Sequence, residues 1–161
     1  YNLKIFIDEA RAKGAHPILV TPTSRRRFDE NGKSVNTHGD YPDAVRWVAA
    51  KENVPLIELN GMTAILFNAL GVDNSTKAFV HYPAGTFPGQ TRTLKDNTHF
   101  STYGAYEVSK CVIEGMKKAN LEIVKYLRPD YSGFDPAQPD SFESFKWNLC
   151  PFTENEKPDG N

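Results

Sequence analysis

The residues of this chain best suited to chemistry are Asp96 and His99, within the sequence Asp-Asn-Thr-His-Phe-Ser at residues 96–101. A serine hydrolase needs an imidazole as its base and a carboxylate that fixes the tautomer of that imidazole. The pair is predicted to sit in a short loop, just ahead of a helix that begins near Thr102. A helix-capping aspartate beside an incidental histidine would show the same spacing, so the spacing alone leaves both interpretations open.

The composition limits the classes of partner. The 161 residues fit one domain with a sizeable core, and 39% hydrophobic and 24% charged residues are typical of a soluble protein. The net charge of −1 argues against a nucleic-acid surface, and no apolar run is long enough for a membrane span. We therefore expect neither nucleic acid nor a membrane as a partner.

Metal and cofactor sites are not indicated. Cys111 and Cys150 form no Cys-x-x-C pair, and the other histidines have no partner at a metal-ligand spacing. No glycine-rich phosphate loop is present. Cys111 falls inside a helical pattern, which favours a buried thiol, while a bridge to Cys150 stays open. The sequence thus predicts no cofactor and no metal.

An alternation of helices and strands must position the candidate residues. The predicted order is a helix over residues 3–10 closed by Gly14, a strand at 17–21, a helix capped by Asp40 with Pro42 in its first turn, a strand at 54–59, a helix at 60–70 closed by Gly71, a short extended piece at 78–81 and a long helix after Thr102. This rhythm is typical of a parallel α/β sheet, but two buried strands are too few for a complete one.

The character of the chain changes near residue 127. Five of the eleven prolines follow that point, and proline-rich tails are often disordered. The tail also carries aromatic residues, which favour an extended strap packed on the domain: Phe134, Phe142, Phe145, Trp147 and Phe152. We therefore expect a domain over residues 1–126 and a packed tail over 127–161.

Three stretches of the chain resemble a known family. Residues 96–100, followed by Gly104 and Ala105, resemble the last conserved block of the SGNH (GDSL-type) hydrolases. Residues 19–26, and residues 41–42 through 54–60, are similar to the rhamnogalacturonan acetylesterase branch. The resemblance implies a three-layer α/β/α, flavodoxin-like fold, of which this chain would be the C-terminal portion.

The same resemblance implies a Ser-His-Asp esterase that removes acetyl groups from a pectic polysaccharide. His99 would be the base and Asp96 its orienting carboxylate. The Gly-Asp-Ser block that carries the family's nucleophile is absent, as are its oxyanion glycine and asparagine blocks, and none of the eight serines follows Gly-Asp. We therefore expect the chain to be inactive alone, with an exposed edge at the strand over 17–21. Its partner would be the missing N-terminal half or a swapped copy.

Four residues are candidates for substrate binding. Arg25, Arg26 and Arg27 follow the end of a strand, where open α/β sheets bind ligands, and guanidinium pairs well with the carboxylates of galacturonate. A solvated turn is the competing interpretation. His38 resembles a family position near the rim of the site, and a surface loop is its competing interpretation.

Other functions fit the same residues. The esterase could act on xylan acetate or another small acyl ester, or the chain could be a non-catalytic carbohydrate-binding or interaction domain on a decayed hydrolase frame. The resemblance further implies a secreted or periplasmic enzyme.

Overall fold

The computed structural model describes residues 2–147 of the chain. Its elements in chain order are α1 (Asn2–Ala12), β1 (Leu19–Val20), α2 (Tyr41–Lys51), β2 (Leu56–Ile57), α3 (Leu59–Asn74), a 3₁₀ turn (Ser75–Ala78), β3 (Phe79–Tyr82), β4 (Leu94–Phe100), α4 (Thr102–Lys118) and a second 3₁₀ turn (Glu122–Tyr126). They form a mixed α/β fold with two small sheets.

The predicted helices are all present, because their signals are local. Gly14 has a positive φ of 74° beyond the end of α1, and Pro42 lies in the first turn of α2. Gly71 kinks α3 with a φ of 72° at the point where the sequence predicted the end of the helix. The strands predicted at 17–21 and 54–59 are shorter in the structure, at Leu19–Val20 and Leu56–Ile57.

The first sheet is parallel and has two strands. Leu19 pairs with Leu56 and Val20 pairs with Ile57. The amides of Leu19 and Thr21 donate to the carbonyl oxygens of Pro55 and Ile57, so the backbone of Val20 faces the opposite edge. Within residues 2–147 no strand pairs with that edge, and Val20 is 43% exposed. The parallel sheet is therefore open on one side of β1.

The second sheet is an antiparallel pair that the sequence did not predict. Phe79 pairs with Phe100, and His81 pairs with Lys95. Between these two pairs, the single residue Val80 on β3 faces residues 96–99 on β4. Residues 96–99, predicted as a loop ahead of a helix, therefore form a bulge of four residues inside β4. Its polar sequence has no alternating pattern that would have indicated a strand.

Helix α4 fixes the end of this strand against the core. The core includes Phe67, Phe79 and Tyr103, and the rings of Phe79 and Phe100 lie 5.1 Å apart. At Gly104 a Cβ atom would lie 1.8 Å from the carbonyl oxygen of Ala78. Only glycine allows this approach, which brings the first turn of α4 directly onto the start of β3.

The segment after the second 3₁₀ turn has no regular structure up to residue 147, yet it packs on the domain. Phe134 and Phe145 contact the core, and the hydroxyl of Tyr103 donates to the carbonyl oxygen of Asp140 at 2.7 Å. Trp147 is largely exposed. The predicted boundary at residue 126 stays a prediction. Phe152 and Cys150 lie outside the described residues, and Cys111 is fully buried in α4.

Candidate active site

The bulge brings Asp96 and His99 into direct contact. Nδ1 of His99 lies 2.6 Å from Oδ2 of Asp96, while Oδ1 of Asp96 accepts the backbone amides of Thr98 at 2.6 Å and His99 at 3.0 Å. The His99 amide, the His99 ring and then the Thr98 amide lower the pKa of Asp96 to about 2. The carboxylate is therefore ionised at neutral pH.

This arrangement fixes the tautomer of His99. A carboxylate can only accept, so in the neutral imidazole Nδ1 carries the proton and Nε2 keeps its lone pair. The His99 side chain is 77% exposed, which leaves the imidazole accessible. Within residues 2–147 no hydroxyl hydrogen-bonds to its Nε2. The pair therefore has the form of a base and its orienter, with the basic nitrogen free of hydrogen bonds from the described residues.

The helix-capping interpretation of Asp96 is wrong. The N-cap of α4 is Ser101, whose Oγ accepts the amide of Gly104 at 3.1 Å. Among residues 2–147, the Asp96 carboxylate accepts hydrogen bonds only from its own bulge, through the two amides and the ring described above. Since His99 is one of those donors, it is not incidental to the aspartate.

The serines near the bulge have structural roles. Ser101 Oγ also donates to the carbonyl oxygen of Lys77 at 2.6 Å. Ser75 is fully buried, and its Oγ donates to the carbonyl oxygen of Val72. Ser24 Oγ donates to the carbonyl oxygen of Asn60. Within the described part of the chain, none of these hydroxyls contacts His99.

A cavity of about 530 Å³ adjoins the bulge. It is lined by the three candidate arginines, by a turn of the following loop and by the middle of the bulge: Arg25, Arg26, Arg27, Asn36, Thr37, Asn97 and Thr98. The structure thus places the predicted arginines beside the middle of the bulge that carries Asp96 and His99, although neither of those two residues lines the cavity. The sequence could not show this closeness, because about seventy residues separate the two segments.

The three arginines differ in their contacts. Arg26 is half-buried, and its guanidinium donates to the carbonyl oxygen of Val72, to Ser75 Oγ at 3.0 Å and to Asn97 Oδ1 at 3.2 Å. Arg25 and Arg27 are exposed and form no ion pair with any described residue. Arg26 is therefore held by the protein, and the other two are available to a ligand.

His38 supports the turn that lines this cavity. It is half-buried, and its Nε2 donates to the carbonyl oxygen of Thr23 at 2.8 Å. Its backbone amide donates to Oδ1 of Asn36. His38 therefore holds the turn that lines the cavity to the segment that follows β1.

His81 was missed in the sequence. Its Nε2 lies 2.8 Å from Oδ1 of Asn97, at the centre of the bulge. The contact depends on the pairing of β3 with β4, and no local spacing indicates it. The sequence likewise indicates no separate role for Asn97 within the family-like block.

Among residues 2–147, no group of three or more His, Cys, Asp or Glu side chains could hold a metal ion. None of the helices found in those residues is both long and apolar enough to cross a bilayer.

No protein-family model matches the chain. Two curated proteins of Bacillus subtilis are similar to it over 125 residues, which are 78% of this chain. The rhamnogalacturonan acetylesterase RhgT is 44% identical there, and YesY, named as a probable rhamnogalacturonan acetylesterase, is 36% identical. The match covers 54% of RhgT and 53% of YesY, so the chain spans about half the length of these relatives.

A solved structure gives independent support for the fold. The crystal structure of the YxiM protein of Bacillus subtilis superposes with a TM-score of 0.60 at 22% identity. The superposition covers 74% of this chain and 30% of YxiM. Over most of its length, this chain is thus a homologue of the C-terminal part of the rhamnogalacturonan acetylesterases, which are SGNH hydrolases.

Proposed function

We propose that this chain supplies the base and its orienting carboxylate to a serine esterase that removes acetyl groups from a rhamnogalacturonan-type pectic polysaccharide. The observation that carries the proposal is the 2.6 Å contact between Nδ1 of His99 and Oδ2 of Asp96. The exposed imidazole and the names of RhgT and YesY support it.

The two residues have separate roles in the reaction. Nε2 of His99 takes the proton of the attacking serine hydroxyl and later delivers it to the departing sugar alkoxide. Asp96 keeps the proton on Nδ1 and stabilises the imidazolium that forms after the first transfer. Because the bulge holds Asp96 ionised, that stabilising charge is in place before the proton moves.

The nucleophile and the oxyanion donors come from polypeptide outside the matched half of the relatives. The open edge of β1 is where we place that polypeptide, as a further strand of a three-layer α/β/α fold. Among the described residues no strand pairs with the backbone of Val20 at this edge, so a further strand would supply that pairing. The helix that follows such a strand would cover the exposed side chains of Ile18 and Val20. A swapped second copy could cover the same edge, but it would bring no Gly-Asp-Ser block. Export of the enzyme from the cell stays an expectation of the family resemblance.

The cavity beside the pair supports an acidic polysaccharide as substrate. Arg25 and Arg27 offer two exposed guanidinium groups within the wall that also contains Thr98. Guanidinium binds carboxylates with paired, charge-assisted hydrogen bonds, and galacturonate units carry one carboxylate each. Acetylated xylan or a small acyl ester offers these arginines less charge to bind.

The test compares the chain alone with an extended protein. The extended protein joins the N-terminal part of RhgT, which lies outside the match, to this chain. We expect the chain alone to release no acetate above background, because the nucleophile is indispensable to the covalent route. The extended protein should release acetate from acetylated rhamnogalacturonan.

Each other outcome has a clear meaning. A burst of acetate from the chain alone, abolished by His99→Ala, would show that it contains its own nucleophile. An extended protein that folds and binds the polysaccharide without releasing acetate would favour the non-catalytic carbohydrate-binding domain. Faster release from acetylated xylan than from rhamnogalacturonan would assign the other substrate.

A further inference from the structure

We propose that Arg26 and His81 are positioning residues, which hold the Asp96–His99 pair in place through one shared acceptor, Oδ1 of Asn97. Arg26 Nη1 lies 3.2 Å from this oxygen, and His81 Nε2 lies 2.8 Å from it. The inference rests on the proposed function, because it assigns these residues to the precision of that same site.

The bulge itself needs such an attachment. Residues 96–99 face only Val80, so the strand ladder fixes the bulge at its two ends and not along its length. The hydrogen bonds of Asp96 go to Thr98 and His99 within the bulge. They favour one internal shape of the bulge, but they alone hold neither that shape nor its position against the rest of the protein.

Asn97 supplies the missing attachment at the centre of the bulge. Its backbone carbonyl oxygen accepts the backbone amide of Arg26 at 2.9 Å, in addition to the two contacts of its side chain. The side-chain oxygen Oδ1 has two lone pairs, and the side chains of Arg26 and His81 together occupy both. The bulge is thus connected to β3 through His81 and to the segment after β1 through Arg26.

Both donors are held firmly at their other ends. The guanidinium of Arg26 also donates to Ser75 Oγ, which is fully buried, and to the carbonyl oxygen of Val72. His81 lies on β3 opposite Lys95, directly beside the point where the bulge begins. A catalytic pair must be held to within about 0.5 Å of its productive geometry, and rigid supporting donors supply that precision.

The arrangement also connects the cavity to the chemical pair. Arg26 lines the cavity between Arg25 and Arg27, and the same side chain bonds to Asn97. Arg26 is therefore attached both to the wall of the cavity and to the bulge that carries His99. This explains why Arg26, unlike its two neighbours, is half-buried and satisfied by the protein.

The first test reads the tautomer of His99 by long-range ¹H–¹⁵N NMR correlation, in the 161-residue chain and in the extended protein. The spectra are recorded at alkaline pH, where the neutral imidazole and therefore its tautomer can be observed. The wild type should show the proton on Nδ1. Asn97→Ala, at an exposed position, and His81→Leu should both move the proton partly to Nε2, because a loosened bulge breaks the contact with Asp96.

The second test uses the conservative variant His81→Gln, whose side-chain amide can donate from a position like that of Nε2. It should restore the wild-type tautomer. In the extended protein, Asn97→Ala and His81→Leu should lower kcat by about 10- to 100-fold, as expected for misplacement by up to 1 Å. KM should change little, and His81→Gln should recover most of kcat. His16→Gln, at an exposed and distant histidine, is the control.

The outcomes separate this inference from the proposed function. If Asn97→Ala and His81→Leu leave both the tautomer and kcat unchanged, Arg26 and His81 do not position the pair. Equal losses in His81→Leu and His81→Gln would also overturn the inference. If the tautomer responds as predicted while the extended protein releases no acetate, the attachment is real and the proposed esterase function is wrong.

Discussion

The contact of 2.6 Å between His99 and Asp96 lies within a single four-residue bulge of β4. One short backbone segment therefore fixes the relative positions of the base, His99, and its orienting carboxylate, Asp96. The same bulge donates two amides to the carboxylate, so the orienter is stabilised by the chain segment that carries the base. The contact between Asp96 and His99 can therefore form once this segment is held in place against the rest of the protein.

The first prediction concerns pH. The pKa of Asp96 is lowered to about 2 in the folded protein. The hydrogen bonds that its ionised carboxylate accepts are therefore fully present above the pKa of an unfolded aspartate, and they are lost as the pH falls through the folded pKa. We expect the Nδ1 contact to persist from neutral pH down to about pH 4 and to disappear near pH 2. Carboxyl ¹³C NMR of Asp96 measures this midpoint directly. The variant His99→Ala keeps the backbone amides, so it should raise the midpoint only in part, and a wild-type midpoint near 4 would contradict the prediction.

The second prediction concerns Gly104. In Gly104→Ala the new Cβ would meet the carbonyl oxygen of Ala78, which is backbone and cannot turn aside. We expect the free energy of unfolding to fall by about 2–3 kcal/mol, the upper part of the range for overpacking. Urea denaturation measures it. Ser109→Ala, on an exposed turn of the same helix, is the matched control, and equal effects in the two variants would show that α4 does not approach β3 so closely.

The third prediction concerns the charged cluster beneath the tail. Glu107 is fully buried, and Lys110 Nζ lies 2.8 Å from it and 2.7 Å from Asp140 Oδ2. Lys110→Met would leave Glu107 without its cation, and breaking a buried pair in this way costs about 3–5 kcal/mol. Lys125→Met, in an exposed pair, should cost less than about 1 kcal/mol.

The pH dependence of the Lys110→Met variant distinguishes this cause from lost packing. Burial raises the pKa of Glu107, so the folded state binds that proton more tightly than the unfolded state does. Removing Lys110 should strengthen this effect, and the destabilisation should shrink as pH is lowered. Unfolding measured at several pH values checks it, and a loss that does not vary with pH would indicate packing alone.

The fourth prediction concerns the arginines of the cavity. The double variant of the extended protein, Arg25→Glu with Arg27→Glu, should raise KM for acetylated rhamnogalacturonan more than for p-nitrophenyl acetate, because only the polysaccharide carries carboxylates. The difference between the changes in KM for the two substrates should become smaller at about 1 M salt, because exposed charges are then screened beyond about 3 Å. The double variant Arg92→Glu with Lys33→Glu, at exposed positions outside the cavity wall, is the control for the same change in net charge. Equal changes for the two substrates would exclude a role in binding the acidic chain.

The helices and the chemical pair could be predicted from the sequence because their signals are local. Apolar spacing, Gly14 and Pro42 mark helices within a few residues, and Asp96 and His99 are near neighbours. The pairing of β3 with β4 could not be predicted, since residues 95–99 lack the alternation of a half-buried strand. The sequence also could not predict the bulge, the contact of His81 with Asn97 or the distinct role of Arg26, because all three depend on that pairing.

The central claim is that His99, oriented by Asp96, is the base of an acetylesterase. It is tested most directly by the rate of acetate release from acetylated rhamnogalacturonan by the extended protein, compared between wild type and His99→Ala. We predict a fall of at least about 10³-fold in kcat with the fold intact, because the serine then loses its proton acceptor. A folded His99→Ala variant that keeps more than about a tenth of the wild-type rate would contradict the claim, since general-base catalysis alone contributes more than that.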